Sequence, residues 1–334
     1  MPKQGAGFFV LDGKQELVES CMSFSWHAIK QDRLRNRVLT KLGLIPYLER
    51  CEVIELGELP LHCELYQYNP AAPTIIFIPG IGTYSQLYCE LLARMSDRGF
   101  NLVSVDIRGH GCSGGQRGGY RVSEVVADIQ LLLDRLQQRF YGPFGLFGCS
   151  LGAKLGLAVA EQDKRIEALL CHTLFLAELP PDIWHFMGWN SLYFSNIFTP
   201  HLKVNLRLFV DIDNLLKNNP MGKYADRDPL LVWDYPIYTL HSTYSYPSRI
   251  LKQRLCACSS AIIIGDKDQI LSLNYTRSII KRSAQPFDLI VINNGSHMLP
   301  FDHIDDTLQA SCDWFHNVFE NQSLSDEASV SASC

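Results

Sequence analysis

The chain has 334 residues, of which 47% are hydrophobic, and a formal net charge of −5 at pH 7. This length can bury a large core as a single α/β unit with insertions, and the acidic balance excludes the basic excess expected of a nucleic-acid-binding protein. The 11 cysteines are scattered over predicted strands and helices, which indicates reduced thiols rather than a secreted disulfide framework. Because no apolar run has the length of a signal-peptide core or a membrane span, we expect a cytoplasmic protein.

Residues 1–50 are predicted to form an N-terminal extension. A helical stretch over residues 16–45 carries mixed charge, most densely between Lys30 and Arg37, and Gly43 and Pro46 mark its end. Two interpretations stay open for this helix. It either packs on the core with a solvated face, or it contacts a membrane surface or a partner.

The next segments alternate between strand and helix patterns. Residues 51–56 and 62–68 predict an antiparallel pair, and residues 74–78 and 102–105 predict central parallel strands. One helix lies between the central strands and ends near Gly99, and a second covers residues 123–138 with Ser123 as its N-cap. This alternation predicts an α/β fold with a doubly wound, mostly parallel sheet, in which ligands bind beyond the carboxyl ends of the strands.

The segment Gly148-Cys149-Ser150-Leu151-Gly152 follows a strand pattern at residues 144–147 and opens a helix pattern at residues 151–160. In this context G-x-S-x-G is the pattern of a nucleophile elbow, a strained strand-to-helix turn that exposes the serine. The glycines leave room where the two backbones nearly touch. We therefore predict Ser150 as a nucleophile and Cys149 as a buried packing thiol.

A serine nucleophile needs a histidine base and a carboxylate that orients the base. The strand pattern at residues 261–264 leads into Asp266 and Asp268, and the strand pattern at residues 289–292 leads into a polar loop with His297. The order Ser, Asp, His, each after a strand, fits such a triad. Asp266 and Asp268 compete for the acid position. His110 precedes the serine in the chain, so we do not expect it to be the base.

From about residue 54 to 319 the chain resembles an α/β-hydrolase of the monoacylglycerol lipase and lysophospholipase branch. The segments that carry the likeness are Ile76–Gly82, Asp106–Ser113, the elbow, and the Asp268 and His297 loops. The resemblance implies that the backbone N–H groups of Ile81 and Leu151 form an oxyanion hole. It also implies that the Gly-x-x-Asp spacing selects Asp268, that the His110 loop is structural, and that neither metal nor cofactor is required.

One position departs from the family pattern. Pro79 stands where a histidine commonly precedes the glycine, and we expect the loop geometry to survive because Gly80 and Gly82 remain.

Residues 178–250 interrupt the alternation at the place where this family inserts a cap. They contain 13 of the 36 aromatic residues of the chain, an enrichment that suits an acyl chain. We accordingly divide the chain into residues 51–177 and 251–320 as the hydrolase core, residues 178–250 as a helical cap, and residues 321–334 as a disordered tail, because the tail is rich in Ser, Asp and Glu and lacks aromatics.

The predicted function is hydrolysis of a small lipid ester, a monoacylglycerol or lysophospholipid, through an acyl-enzyme. A proline-directed aminopeptidase, a thioesterase, an acyltransferase and a non-catalytic binder are the alternatives, and the sequence leaves open a transient membrane contact through the cap or the N-terminal helix. An aminopeptidase would need acidic groups for the substrate's amino terminus, and the cap offers Glu178, Asp182, Asp211 and Asp213.

Overall fold

The computed structural model describes residues 26–208, 210–217, 219–254 and 258–332, with the side chains of 26–31 and 322–332 left undescribed. Residues 1–25 of the predicted N-terminal extension and residues 333–334 of the predicted tail lie outside this description. The strands are β1 Glu52–Leu56, β2 Leu61–Tyr66, β3 Thr74–Ile78, β4 Asn101–Val105, β5 Phe144–Cys149, β6 Ile166–His172, β7 Lys203–Asn205, β8 Asp234–Pro236, β9 Ser259–Gly265 and β10 Asp288–Ile292. The helices are α1 Trp26–Lys41, α2 Ile45–Leu48, α3 Cys89–Ser96, α4 Val122–Leu136, α5 Leu151–Ala160, α6 Ile183–Phe198, α7 Ile212–Leu215, α8 Ile237–Ser245, α9 Leu273–Arg282, α10 Leu299–Asp302 and α11 Ile304–Ala332.

One sheet has the strand order β1-β2-β4-β3-β5-β6-β9-β10. Strands β1 and β2 pair antiparallel and β2 joins β4 antiparallel, whereas the other neighbours run parallel. The predicted doubly wound, mostly parallel sheet is therefore confirmed. The chain passes from β3 to β4 on one side and then to β5 on the other, so the topological switch point lies between β3 and β5. Ligands in such sheets bind at the carboxyl ends of the strands that flank this point.

Helices cover both faces of the sheet because the central strands are apolar on both sides. In β3, Ile76 and Ile78 pack in a core cluster with α4 and α5, whereas Ile75 and Phe77 pack in a second cluster with α3 and α11. Every residue of β3, β4 and β5 is buried. The ends of β3 and β5, which lead into the predicted residues Ile81 and Ser150, are thus held by a core on each face.

Helices α4 and α11 differ in extent from the sequence prediction. Helix α4 begins one residue earlier than predicted, and its first turn is capped by Glu124, whose side chain accepts a hydrogen bond from the Arg121 N–H at 2.6 Å, instead of by Ser123. Helix α11 continues to Ala332, through the segment predicted to be disordered. A polar composition cannot build a core, but it can extend a helix whose first turns are already formed, since propagation costs far less than nucleation.

The N-terminal helix α1 packs on the core through its last turns. Val38 and Leu39 are buried, and Leu39 belongs to the same cluster as Phe77 and Phe147. Of the two interpretations left open for this helix, packing on the core describes residues 32–41.

Residues 178–250, the stretch predicted as a cap, lie between β6 and β9 and contain α6, α7, α8 and the small β7–β8 sheet. Helix α6 packs against α8 through Trp189, whose ring stacks on Tyr244 at a centroid distance of 5.3 Å. The opposite side of α6 is exposed and apolar. Among the described residues, no helix has the length and apolarity to span a bilayer.

Candidate active site

Ser150 occupies the strained turn between β5 and α5. Its φ of 51° lies in the left-handed region that is unfavourable for a residue with a Cβ atom. A Cβ atom on Gly148 would meet the Ala153 backbone, and one on Gly152 would overlap the Ile78 carbonyl oxygen. The two glycines therefore let α5 start directly against the ends of β3 and β5, which lifts the Ser150 side chain above the sheet.

Asp268 and His297 lie on loops that follow neighbouring parallel strands, β9 and β10. The loops are joined by their backbones, since the N–H of Lys267 donates to the Gly295 carbonyl at 2.9 Å and the N–H of Asp266 donates to the Ile292 carbonyl at 3.1 Å. Gly265 has no room for a Cβ atom because the Gly295 carbonyl lies against it. This close approach sets the distance between the two side chains.

The structure brings the three predicted residues into one hydrogen-bonded chain. His297 Nε2 lies 3.1 Å from Ser150 Oγ, and His297 Nδ1 lies 2.7 Å from Asp268 Oδ2. Burial alone would raise the pKa of Asp268, but the hydrogen bond and charge of His297 and the Leu271 N–H outweigh it and lower that pKa. An ionised Asp268 accepts a hydrogen bond from the His297 Nδ1–H group, and this leaves His297 Nε2 free to accept a proton from Ser150.

A second histidine stands behind the first, and sequence reasoning missed it. His172, at the end of β6, is fully buried, and its ring centroid lies 5.6 Å from that of His297. Burial, reinforced by the nearby His297, lowers the pKa of His172 to about 3, so this imidazole stays neutral. Its Nδ1 lies 3.2 Å from the Cys149 thiol, whose pKa burial raises to about 12. Cys149 is thus a buried, protonated thiol that contacts His172.

The predicted oxyanion residues sit at the switch point. Leu151 is the first residue of α5, where a helical N–H has no partner within the helix. Ile81 lies in the loop after β3 between two glycines whose N–H groups are both occupied: that of Gly80 donates to the Tyr88 hydroxyl at 3.2 Å, and that of Gly82 to the Tyr235 hydroxyl at 2.8 Å. Among the hydrogen bonds of the described residues, neither Ile81 nor Leu151 donates through its N–H outside secondary structure.

The competing residues occupy other positions. Asp266 points one carboxylate oxygen into a buried environment with no hydrogen-bond partner in the described part of the chain, and the carboxylate bonded to His297 Nδ1 is that of Asp268. His110 is buried, and burial lowers its pKa to about 4. It bonds to the Arg108 carbonyl and to Tyr235 and not to Ser150.

One group of side chains in the described residues has the spacing of metal ligands. Donor atoms of His62, Asp106 and Cys112 lie within 4.8 Å of one another. The Asp106 oxygens, however, accept hydrogen bonds from the N–H groups of Ser85 at 2.7 Å and Cys112 at 2.8 Å. These bonds hold the loop after β4 against the loop after β3, so the group serves as a structural network.

Comparison with known proteins assigns the chain to a family. The family model described as serine aminopeptidase, S33, matches residues 69–304, well over half of the chain. The 2-(acetamidomethylene)succinate hydrolase of Mesorhizobium japonicum is 32% identical over 109 residues, which are 33% of this chain and 37% of that protein. The chain therefore matches little more than a third of that relative's length.

Two solved structures share the fold. The monoacylglycerol lipase of Paleococcus ferrophilus superposes with a TM-score of 0.66 at 20% identity, over 78% of this chain and all of that one. A soluble variant of the Saccharomyces cerevisiae monoglyceride lipase, in complex with a substrate analogue, also gives 0.66, at 14% identity over 80% of this chain and 94% of that one. At 14 to 20% sequence identity, the likeness to these structures shows a shared fold and nothing more. Together with the family match, it means that this chain is an α/β-hydrolase and belongs to the serine aminopeptidase S33 family.

Proposed function

We propose that the chain is a serine hydrolase that cleaves carboxylic esters of lipids through an acyl-enzyme intermediate. The observation that carries this proposal is the hydrogen-bonded chain from Asp268 through His297 to Ser150, at distances of 2.7 and 3.1 Å, at the carboxyl ends of the strands. Such a chain activates a hydroxyl that is otherwise a poor nucleophile.

In the proposed reaction, Ser150 Oγ attacks the ester carbonyl carbon while its proton moves to His297 Nε2. The tetrahedral oxyanion accepts hydrogen bonds from the N–H groups of Ile81 and Leu151, each worth a factor of about 10² to 10³ in rate. The intermediate collapses when His297 returns the proton to the leaving alcohol. Water then attacks the acyl-enzyme by the same route and restores Ser150. Asp268 orients the imidazole throughout, and the reaction requires no metal or cofactor.

A lipid substrate is supported by the exposed side of α6, which we call the α6 apolar face. At 3.6 residues per turn its side chains cover about half the circumference of the helix. They are between 51% and 81% exposed: Ile183, Trp184, Phe186, Met187, Tyr193, Phe194, Ile197 and Phe198. The helix carries no Asp, Glu, Lys or Arg. The face is mostly apolar, although the exposed side chains of Asn190 and Ser191 lie on the same half of the helix. A surface of this kind marks an interaction site, and we propose that it rests on the lipid surface that supplies the substrate.

An aminopeptidase is the second candidate because the family description names one. Such an enzyme needs a free carboxylate for the substrate's amino terminus, and the cap carboxylates have other partners. Glu178 accepts the Ser248 N–H at 2.5 Å, Asp182 caps the first turn of α6, and Asp211 caps α7. Asp213 is 88% exposed and lies 3.9 Å from Arg207. These contacts favour the esterase.

The test combines labelling with a substrate panel. A fluorophosphonate should label the wild type and the exposed-serine control Ser123→Ala but not Ser150→Ala, with unchanged melting temperatures. p-Nitrophenyl esters of graded chain length, monoacylglycerol, lysophospholipid and proline aminoacyl amides then separate the candidates. Turnover of the aminoacyl amides alone would replace the esterase by the peptidase, and labelling of Ser150→Ala would refute the nucleophile.

The lipid surface is tested by co-sedimentation with phosphatidylcholine vesicles. Phe198, 81% exposed, lies on the α6 apolar face, whereas Tyr141, 77% exposed, precedes β5 at the opposite end of the strands. Phe198→Ser should lower the bound fraction and Tyr141→Ser should not. Equal binding by the two variants would exclude the α6 apolar face as the contact.

A further inference from the structure

The loop that carries Ile81 is held between two tyrosine hydroxyls, one from the core and one from the cap. Tyr88, in the turn before α3, receives the Gly80 N–H, and Tyr235, in β8, receives the Gly82 N–H. Both tyrosines are buried. With the amides on either side engaged, the N–H between them, that of Ile81, remains for a substrate oxygen.

The cap holds this loop by more than one bond. The Val232 N–H donates to the Gly82 carbonyl at 2.9 Å, and the Tyr84 hydroxyl donates to Asp228 at 2.7 Å. A Cβ atom on Gly82 would lie 2.6 Å from the Val232 carbonyl oxygen, and its φ of +73° favours glycine. Residues 228–235 of the cap therefore lie directly against residues 79–84, which we call the oxyanion loop, and contact both its backbone and its side chains.

The direction of each hydrogen bond around Tyr235 follows from its neighbours. His110 Nδ1 lies 3.1 Å from the Arg108 carbonyl, which can only accept, so Nδ1 carries the proton. His110 Nε2 must then accept, and it lies 2.6 Å from the Tyr235 hydroxyl, which donates to it. The hydroxyl oxygen is left to accept the Gly82 N–H. Every polar atom in this chain has one role, so the tyrosine cannot rotate its hydroxyl away without leaving a buried group unpaired.

We propose that Tyr235, oriented by His110, is a positioning residue of the oxyanion hole. This inference rests on the proposed function, since it needs an oxyanion to form at Ser150. It makes an intact cap segment a requirement for the chemical step and not only for substrate binding.

Tyr120 provides a matched control. It is as buried as Tyr235, it packs against the same histidine at a ring distance of 5.8 Å, and its hydroxyl lies 3.0 Å from Thr243 Oγ1, away from the oxyanion loop. Tyr120→Phe and Tyr235→Phe each remove one buried hydroxyl from the interface of cap and core. Only the second removes the acceptor of Gly82.

The experiment measures kcat and KM on a soluble p-nitrophenyl ester, the inhibition constant of an alkyl trifluoromethyl ketone, and the rate of fluorophosphonate labelling. Tyr235→Phe should lower kcat by about 10- to 100-fold, which is a large part of the rate factor that one oxyanion donor supplies, and it should leave KM nearly unchanged. The ketone binds as a tetrahedral oxyanion, so its binding should weaken by the same factor, and labelling by the fluorophosphonate should slow. Tyr120→Phe should change none of these.

His110→Leu keeps the inference testable if Tyr235→Phe does not fold. It removes the acceptor of the Tyr235 hydroxyl and should give a smaller loss of kcat, again with KM unchanged. Equal kcat, ketone binding and labelling rate in Tyr235→Phe and Tyr120→Phe would overturn the inference while leaving the proposed function intact. Absence of labelling in the wild type would instead refute the proposed function and this inference with it.

Discussion

Replacing Asp268 by asparagine tests which carboxylate orients the base. Asp268 Oδ1 accepts the N–H groups of Ile270 and Leu271, both at 2.8 Å, and Oδ2 faces His297 Nδ1 at 2.7 Å. An amide nitrogen in the Oδ1 position would face two donors and lose both charge-assisted bonds, at about 1.5 to 3 kcal/mol each. The asparagine must therefore keep its oxygen there and turn its NH₂ group towards His297.

That orientation forces the wrong imidazole tautomer. His297 Nδ1 becomes an acceptor, its proton moves to Nε2, and Nε2 can no longer take the proton of Ser150. The equivalent change in a serine protease lowers kcat by about 10⁴, which corresponds to about 5 kcal/mol on the barrier. We expect the same loss here with little change in KM, measured as ester hydrolysis, and a fold that survives because both backbone hydrogen bonds to the asparagine oxygen remain.

Asp266→Asn is the matched control, two residues away in the same turn. Asp266 has a carboxylate oxygen without a partner among the described residues, and its backbone N–H bond to Ile292 does not depend on the side chain. We expect kcat within about twofold of wild type. A loss of the same size in Asp266→Asn, or more than a tenth of wild-type activity in Asp268→Asn, would refute the assignment of the acid.

Two further predictions concern the elbow helix. Gly152→Ala places a Cβ atom on the Ile78 carbonyl and should cost about 3 kcal/mol or more of unfolding free energy. In Gly156→Ala the added Cβ atom would lie 3.5 Å from its nearest neighbour, so this variant should be neutral or stabilise the fold by up to about 1 kcal/mol. Equal midpoints of urea unfolding for the two variants would contradict this prediction. Burial lowers the pKa of Lys154, whose ammonium donates to the Tyr246 carbonyl, from 10.5 to about 8. As the pH rises, the folded protein therefore loses this proton before the unfolded chain does. Between pH 8 and 10.5 the unfolding free energy of the wild type should rise by about 3 kcal/mol relative to that of Lys154→Met. A difference that stays flat or falls over this range would show that the lysine is not desolvated.

The sequence determined the fold class and the positions of the residues that the structure brings together at the switch point. Both rest on local signals. A buried parallel strand is a short apolar run, and a residue just past its end must lie at the carboxyl edge of the sheet. Ser150, Asp268 and His297 each follow such a run, so the sequence places all three at that edge. Strand β6 separates β5 from β9, however, and only the tertiary structure shows that the loops after β9 and β10 reach back across it to Ser150. The choice between Asp266 and Asp268 was finer, because the two share one turn, and it depended on a family spacing.

Only the tertiary structure decided what surrounds those residues. The Tyr235 hydroxyl and the Gly82 N–H are 153 positions apart in the chain, and the thiol of Cys149 meets His172 on the neighbouring strand β6. The sequence likewise did not indicate which aromatic residues of the cap build its own interior, as Trp189 does, and which form the α6 apolar face. Burial and pairing of a side chain depend on groups brought close by folding, and a tyrosine that supports a catalytic loop has the same local pattern as one that only fills space.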